Sequence, residues 1–382
     1  MSTDVTDFEQ PRYGSASVAD LAPSALAALG VPGEPNTLAL PPARHICVLL
    51  VDGMGWELLH ANRDRAPFLA SLIDTGGPEQ AITTGFPTTT ATSLTSLGTG
   101  LAPGHHGILG YQVAVPGADR IMNSLRWDHD IDPEQWQPHS TVYQRAQAAG
   151  VSTAYVAAAA FEGSGFSRAS ARGSRYLAAN GATELVVQAE TALRSPTPSY
   201  VFVYHSDLDT YGHMFGADSA HWRHHLGHVD RLAEQLAAIL PAGGALYITA
   251  DHGMVDTTPA SRIDVGSEPA LADGVRLLGG EARVRHVYTE PGAAADVLAA
   301  WRERLGERAV VLSREQAIDE GWFGAVAAEF LPRLGDVLAL ARGDTALIAP
   351  HQEEVESQLV GHHGSLTSQE LRVPLLRATS ES

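Results

Sequence analysis

Apolar positions in this chain alternate between short continuous runs and longer stretches of helical spacing. Ile46–Val51, Ser152–Val156, Tyr200–His205 and Ala245–Ala250 are continuous enough to predict buried parallel strands. Helical patterns occupy Trp56–His60, Pro67–Ile73 and Ala91–Leu97, the last followed by glycines that predict its end. Trp222, Leu226, Val229, Leu232, Leu236 and Leu240 recur at intervals of three and four, which predicts one long helix with a single buried face. Strands alternating with helices predict an α/β fold, a large, mostly parallel central sheet flanked by helices on both faces. The pattern changes across 256–345. There, strand-like Arg283–Tyr288, a helix near Ala293–Leu305 and strand-like Ala309–Leu312 predict a small inserted lobe or cap within one α/β domain spanning 1–382. Residues 1–43 hold polar turns, one Ala/Leu-rich helical stretch and prolines at 32, 35, 41 and 42, and read as an arm laid over the core.

Composition narrows the partners. A formal net charge of −19 repels nucleic-acid backbones and anionic membranes, so neither is expected as a partner. A small anionic molecule would need local positive charge, which metal ions supply. The one cysteine, Cys47, excludes an intramolecular disulfide and reads as a buried apolar thiol in the first strand. The N-terminus lacks the basic-then-apolar pattern of a signal peptide and no apolar run reaches the length of a membrane span, so the cytoplasm is the expected compartment. Oligomeric state leaves no readable signal.

Four segments place ligand-type residues just after predicted strands or late in the chain: Val-Asp52-Gly, Asp209-Thr-Tyr-Gly-His213, Ala-Asp251-His252-Gly and Gly-His362-His363-Gly. In open α/β sheets ligands bind beyond the carboxyl ends of the strands. Asp209 and His213 are four apart, so at the start of a helix both side chains share a face. Three aspartates with three histidines suit zinc better than other divalent ions. Two divalent ions bring four positive charges against three carboxylates and an alkoxide. Held roughly 4 Å apart, they form a clamp for in-line displacement at phosphorus. A hydroxyl nucleophile then belongs in a loop at a helix N-terminus, where free N–H groups and the helix dipole favour an anion. Thr90, at the end of Thr84-Gly-Phe-Pro-Thr-Thr-Thr90, fits that position.

Taken in order, the islands Val51-Asp-Gly-Met, Phe86-Pro-Thr-Thr-Thr-Ala-Thr-Ser, Thr99-Gly-Leu-Ala-Pro-Gly-His-His-Gly-Ile, Asp209-x-x-Gly-His213, Asp251-His-Gly-Met and His363-Gly resemble the alkaline phosphatase superfamily, most closely its nucleotide pyrophosphatase/phosphodiesterase branch. The resemblance implies that Asp52, Asp251 and His252 bind one zinc, and that Asp209, His213 and His363 bind the other. Manganese or iron are possible replacements. It also implies that Thr90 bridges the two ions as nucleophile and passes through a phospho-threonine. Where eukaryotic members follow the nucleophile with Phe-Pro-Asn, this chain has Ala91-Thr92-Ser93, and Ser93 is left as the candidate donor to a substrate oxygen. No arginine stands beside Thr90 of the kind the monoesterase branch uses to clamp a dianionic phosphate, which tilts the expectation toward diesters or pyrophosphates.

Each island has a plainer reading. Asp52-Gly is also a strand-ending turn, and the threonines are also capping residues. Thr89 or Thr88 replaces Thr90 after a small register error, Asp207 rivals Asp209, and His362 rivals His363. His221, His224, His225 and His228 read as solvated helix residues, and His105 and His106 as turn-shaping ones. The expected activity is metal-dependent hydrolysis of a small phosphodiester or nucleotide. The alternatives are a phosphomonoesterase or phosphonate hydrolase on the same scaffold and, in another class, a non-catalytic metal-stabilised binding protein.

Overall fold

The first apolar run forms strand His45–Val51, with every residue buried because it has a parallel neighbour on each side. The computed structural model describes residues 8–76 and 80–380; residues 1–7 of the N-terminal arm, 77–79 and 381–382 lie outside the described residues. His45–Val51 sits inside a six-stranded sheet in the order Leu376–Thr379, Gly244–Thr249, His45–Val51, Ser199–His205, Ser152–Ala157, Arg175–Ala178. All neighbours pair in parallel except the edge strand Leu376–Thr379, which runs antiparallel to Gly244–Thr249.

Two groups of helices cover this sheet. Ala182–Leu193, Ala220–Ala238 and Pro67–Thr75 pack together, as do Val18–Ala28, Thr90–Thr99, Val142–Ala148 and Gly165–Ala171. The predicted parallel α/β architecture is therefore the observed one. Two details differ. Val18–Ala28 is buried along almost its whole length against Thr90–Thr99, so this part of the N-terminal stretch belongs to the core and does not lie over it. The Thr90–Thr99 helix runs through Gly98 and stops one residue later, with Gly100 in the left-handed region (φ +75°). Gly98 is a packing glycine: a Cβ there would lie 1.9 Å from the carbonyl oxygen of Ser170.

The chain between 275 and 341 builds a second, wholly antiparallel sheet in the order Val275–Glu281, Val284–Thr289, Val337–Ala341, Ala309–Ser313. Both of its faces are covered. Val284, Val310, Leu312, Leu338 and Leu340 join the main core, while Val287, Val311, Val337 and Ala339 join a separate apolar cluster with Trp301 and Leu305 of helix Ala294–Leu305. Burial on both sides explains why Val337–Ala341 is apolar throughout and shows no alternation. Two fully buried arginines fasten this sheet to the C-terminal segment. Arg283 donates to Glu370 at 2.8 and 3.0 Å, and Arg285 donates to Glu353 twice at 2.7 Å.

Candidate active site

Three neighbouring parallel strands deliver five of the six expected ligand residues at their carboxyl ends. Asp52 follows His45–Val51 directly, and its backbone N–H donates to the carbonyl of His205 in the next strand (2.9 Å). Asp251 and His252 follow Gly244–Thr249. Asp209 and His213 lie in helix Asp207–Phe215, which leaves the end of Ser199–His205. His363 follows the two-residue strand Gly361–His362, paired with Val255–Asp256. Gly361 lets this strand meet helix Asp207–Phe215: a Cβ there would lie 2.5 Å from the carbonyl oxygen of Gly212. His213 Nδ1 thereby reaches the carbonyl of Gly361 at 2.8 Å.

The donor atoms of Asp52, Asp251 and His252 lie within 4.8 Å of one another, and so do those of Asp209, His213 and His363. The two groups adjoin through His252 and His363, whose rings stack at 3.7 Å between centroids. Each histidine is held by a backbone carbonyl at Nδ1: Gly253 for His252 (3.0 Å), Gly361 for His213 (2.8 Å) and Thr88 for His363 (2.9 Å). A carbonyl only accepts, so each neutral ring carries its proton on Nδ1 and presents the Nε2 lone pair, the orientation in which protein imidazoles ligate metals. Buried oxygens Oδ1 of Asp52, Oδ1 of Asp209 and Oδ2 of Asp251 accept no hydrogen bond. Unpaired buried carboxylate oxygens are costly unless a cation compensates them, so the donor set fits divalent metal.

The electrostatics agree. Burial, then the charges of Asp251 and Asp209, push the Asp52 carboxyl well above the carboxylate range, while the Tyr204 hydroxyl, which donates to its Oδ2, opposes the shift. Burial likewise raises Asp251. Burial also works to raise Asp209, but His213 and the other imidazoles outweigh it and hold the carboxyl down. The converse holds for His213: burial alone would lower it, and Asp209, 3.2 Å away, carries it up to about 9. Burial and the neighbouring imidazoles of His252 and His213 push His363 well below the usual histidine range.

Thr90 opens its helix, and its Oγ1 lies 3.2 Å from His252 Nε2. Its rivals point elsewhere. Thr88 donates to the carbonyl of Ser365 at 2.8 Å, and Thr89 donates to Glu281 at 3.4 Å. Asp207 falls outside both groups, and His362 turns its Nε2 to the carbonyl of Leu359 at 3.0 Å. Ser93 departs from its expected role as a substrate contact. One helical turn beyond Thr89, it is fully buried, shares a 2.6 Å hydrogen bond with Thr84 and does not line the cavity beside Thr90. His106 is fully buried and holds Ser96 at 3.0 Å, and the half-buried His225 meets His205, so neither is merely solvated or turn-shaping.

A cavity of about 240 Å³ opens on Thr90, Asp209, His213 and His363. Its outer wall includes Tyr111, Leu125 and Leu359 with the carboxylates of Glu281, Glu353 and Glu356, and no arginine lines it among the described residues. Burial pushes Glu281, at the end of a strand of the second sheet, up to about 8. Neither Glu281 nor Tyr204 was singled out in the sequence. Glu281 sits in a glycine-rich half-exposed strand with no motif, and Tyr204 reads only as strand apolarity.

The model of the type I phosphodiesterase/nucleotide pyrophosphatase family matches residues 46–366. No curated protein matches significantly. Among solved structures, murine ectonucleotide pyrophosphatase/phosphodiesterase 5, an inactive threonine-to-alanine variant in complex with AMP, is similar at a TM-score of 0.70 and 19% identity, with 87% of each chain covered. The human protein of that name gives 0.68 and 18%, with 87% of each chain covered. Phosphonoacetate hydrolase from Sinorhizobium meliloti, in complex with phosphonoacetate, gives 0.66 and 18%, with 89% of this chain and 91% of the other covered. At these identities the structural likeness establishes the fold.

Proposed function

Since the chain belongs to the type I phosphodiesterase/nucleotide pyrophosphatase family, and is thus a hydrolase of phosphate esters, we propose that it cleaves small phosphodiesters or nucleotide pyrophosphates with Thr90 as nucleophile. The observation that carries this reading is the Thr90 hydroxyl, seated at a helix N-terminus 3.2 Å from His252 and beside two Asp/His groups. Asp52, Asp251 and His252 would hold one zinc ion, and Asp209, His213 and His363 the other. These ions, or manganese or iron in their place, supply the positive charge that acidifies the hydroxyl and polarises the phosphoryl oxygens.

The chain's own groups do the rest. Thr90 Oγ1 gives up its proton to solvent and attacks phosphorus, the bond to the leaving alcohol or phosphate breaks, the leaving oxygen takes up a proton from solvent, and a phospho-threonine forms. Water then attacks the same phosphorus, releases the phosphate product and returns the proton to Thr90. Free backbone N–H groups in the first turn of Thr90–Thr99 face the anion. The Nδ1 contacts fix the three imidazoles, and Tyr204 fixes Asp52. The inactive form of the murine relative is a threonine-to-alanine change, which accords with a threonine nucleophile.

A monoesterase or phosphonate hydrolase is the second reading, favoured by the likeness to phosphonoacetate hydrolase. The cavity wall weighs against it, since none of its lining residues is an arginine that could clamp a dianionic terminal phosphate. Turnover of a bis-aryl phosphate against a mono-aryl phosphate decides between them: a preference for the diester is expected, and a strong preference for the monoester overturns the choice. Zinc-loaded protein that binds phosphate esters without turning over either substrate would instead make it a binding protein.

A further inference from the structure

A second concentration of imidazoles lies beyond the candidate active site. Strand Ser199–His205 ends in His205, and helix Asp207–Phe215 starts two residues later with Asp207 in its first turn. Helix Ala220–Ala238 packs against that helix and carries His221, His224, His225 and His228, spaced three, four and seven residues from the first and so on one face. His205 is buried, and its Nε2 lies 2.9 Å from Nε2 of His225, with the rings stacked at 5.2 Å and 18°. A carboxylate oxygen of Asp207 completes a trio of donor atoms within 4.8 Å of one another. The residues come from the end of a strand and two different helices, so the tertiary fold brings them together.

We propose that His205, Asp207 and His225 form a third metal site, independent of the two groups around Thr90, that takes a single zinc-type divalent cation. Two imidazoles with a carboxylate are a donor set of that ion, with a solvent position completing a tetrahedron. Zn–N bonds of about 2.1 Å at a tetrahedral angle put two nitrogens roughly 3.4 Å apart, so the pair needs to open by only about half an ångström. Among the described residues Asp207 makes no ion pair with an arginine, and its carboxylate accepts a 3.5 Å bond from the Ser206 hydroxyl. A cavity of about 220 Å³ bounded by Tyr211, Ala220, His221, His224, His225 and His228 reaches His225 from outside. His228, whose ring centroid is 5.6 Å from that of His225, stands one turn further along.

The rival arrangement is an imidazole–imidazole hydrogen bond between opposite tautomers, with Asp207 simply solvated. The two differ in consequence. Helix Asp207–Phe215 carries Asp207 to one group and Asp209 and His213 to the other. A cation at His205 would tie the start of that helix to the strand end and to helix Ala220–Ala238, bracing Asp209 and His213 from behind. These three are positioning residues for the candidate active site.

The test is metal stoichiometry of the full chain, stripped with a chelator, dialysed against buffered zinc and assayed by elemental analysis. The wild type is expected to bind three equivalents. His225→Ala and Asp207→Asn should each bind two, with the third weakened at least about 100-fold, while His224→Ala keeps three. A protein carrying Asp52→Ala, Asp251→Ala, Asp209→Ala and His363→Ala should still bind one ion. X-ray absorption of that ion should show two imidazole nitrogens. Asp207→Asn changes a solvent-exposed side chain, so it reports even if His225→Ala unfolds. Two equivalents in the wild type, or three retained in both His225→Ala and Asp207→Asn, would overturn the site and leave the hydrogen bond. Loss of the third equivalent in His224→Ala but not in Asp207→Asn would assign the ion to the exposed histidine stripe, also overturning it.

Discussion

The carboxyl end of the parallel sheet and the antiparallel sheet of residues 275–341 meet at one cavity but are built on different principles. The first gathers Asp52, Asp251 and His252 directly at strand ends, with Asp209 and His213 on the helix that follows another, so short loops on a buried sheet fix their positions. The second contributes Glu281 and Ala282 from a hairpin and is anchored by two buried ion pairs. On the proposed mechanism the chemistry rests on the parallel layer, and the appended sheet adds Glu281 and Ala282 to the wall of the substrate cavity. Changes in the first should abolish turnover; changes in the second should alter stability or selectivity and leave the chemistry in place.

The largest effect belongs to the parallel layer. Thr90→Ala should lower kcat by at least about 10³-fold with zinc content unchanged, because it removes the attacking oxygen and none of the six Asp/His donors. Single-turnover assays beside metal analysis check this, and equal rates would take Thr90 out of the mechanism. The antiparallel layer should fail differently. Arg283→Met leaves Glu370 buried without its guanidinium, and the loss should be about 3–5 kcal/mol of stability by denaturant unfolding. The fraction that remains folded should retain kcat. A collapse of kcat in folded protein would mean that the two regions are not separable.

A third prediction concerns the ligand groups themselves. With His213 raised to about 9 by Asp209, the metal-free protein holds a proton on that ring at neutral pH. Binding an ion at Nε2 must expel it, so affinity falls as pH falls below about 9, by roughly tenfold per unit for one proton displaced. His363, pushed well below the usual range, is already neutral at that pH and adds no such slope there. Zinc titrations between about pH 6 and pH 9 measure the dependence, and a flat affinity would remove His213 from the donor set.

The same contrast explains what the sequence made legible. Parallel strands buried on both faces leave continuous apolar runs, and four of them were readable to within a residue or two at each end. Their carboxyl ends locate Asp52, Asp251 and His252 without any tertiary information. Edge strands were not readable. Arg175–Ala178 is half exposed, and Leu376–Thr379 pairs on one side only, so neither carries enough apolar residues to stand out. Val337–Ala341 has Leu and Ala, which suit a helix equally well. Ser93 looked like a substrate contact because of its place after Thr90 in a motif. In the structure its hydroxyl is fully buried and bonded to Thr84. His205 and His225 are twenty residues apart with no spacing rule to join them, and only the packing of helix on strand reveals the pair.

Selectivity offers a smaller effect. Glu281→Gln keeps the shape of the cavity wall while removing a carboxyl beside Thr89 and His363. With the carboxylate ionised, above about pH 8 in the metal-free protein, its charge opposes an anionic substrate. The variant should lower KM for anionic leaving groups by roughly fivefold, the roughly 1 kcal/mol that one unit charge exerts at about 4 Å through water, with kcat and zinc content little changed. Substrates with neutral leaving groups should show almost no difference, and a comparison of the two classes reads the effect. A large fall in kcat would place Glu281 in the chemistry and move the boundary between the regions.

The smallest effect separates sequence position from spatial position on a single helix. Ser93→Ala deletes a hydroxyl that is fully buried and bonded to Thr84, so its cost should appear as about 1 kcal/mol of stability for one lost buried hydrogen bond. Substrate never meets that hydroxyl if the cavity is bounded as the structure has it, so kcat/KM should stay within about threefold of wild type. Thr84→Val removes the other partner, and the double variant should cost less than the sum of the two single ones, because the interaction can be lost only once. If Ser93→Ala instead lowered kcat/KM tenfold or more while Thr84→Val did not, the hydroxyl would have to turn toward the substrate during the reaction. The helix N-terminus around Thr90 would then include a mobile element that the rigid parallel layer is not expected to possess.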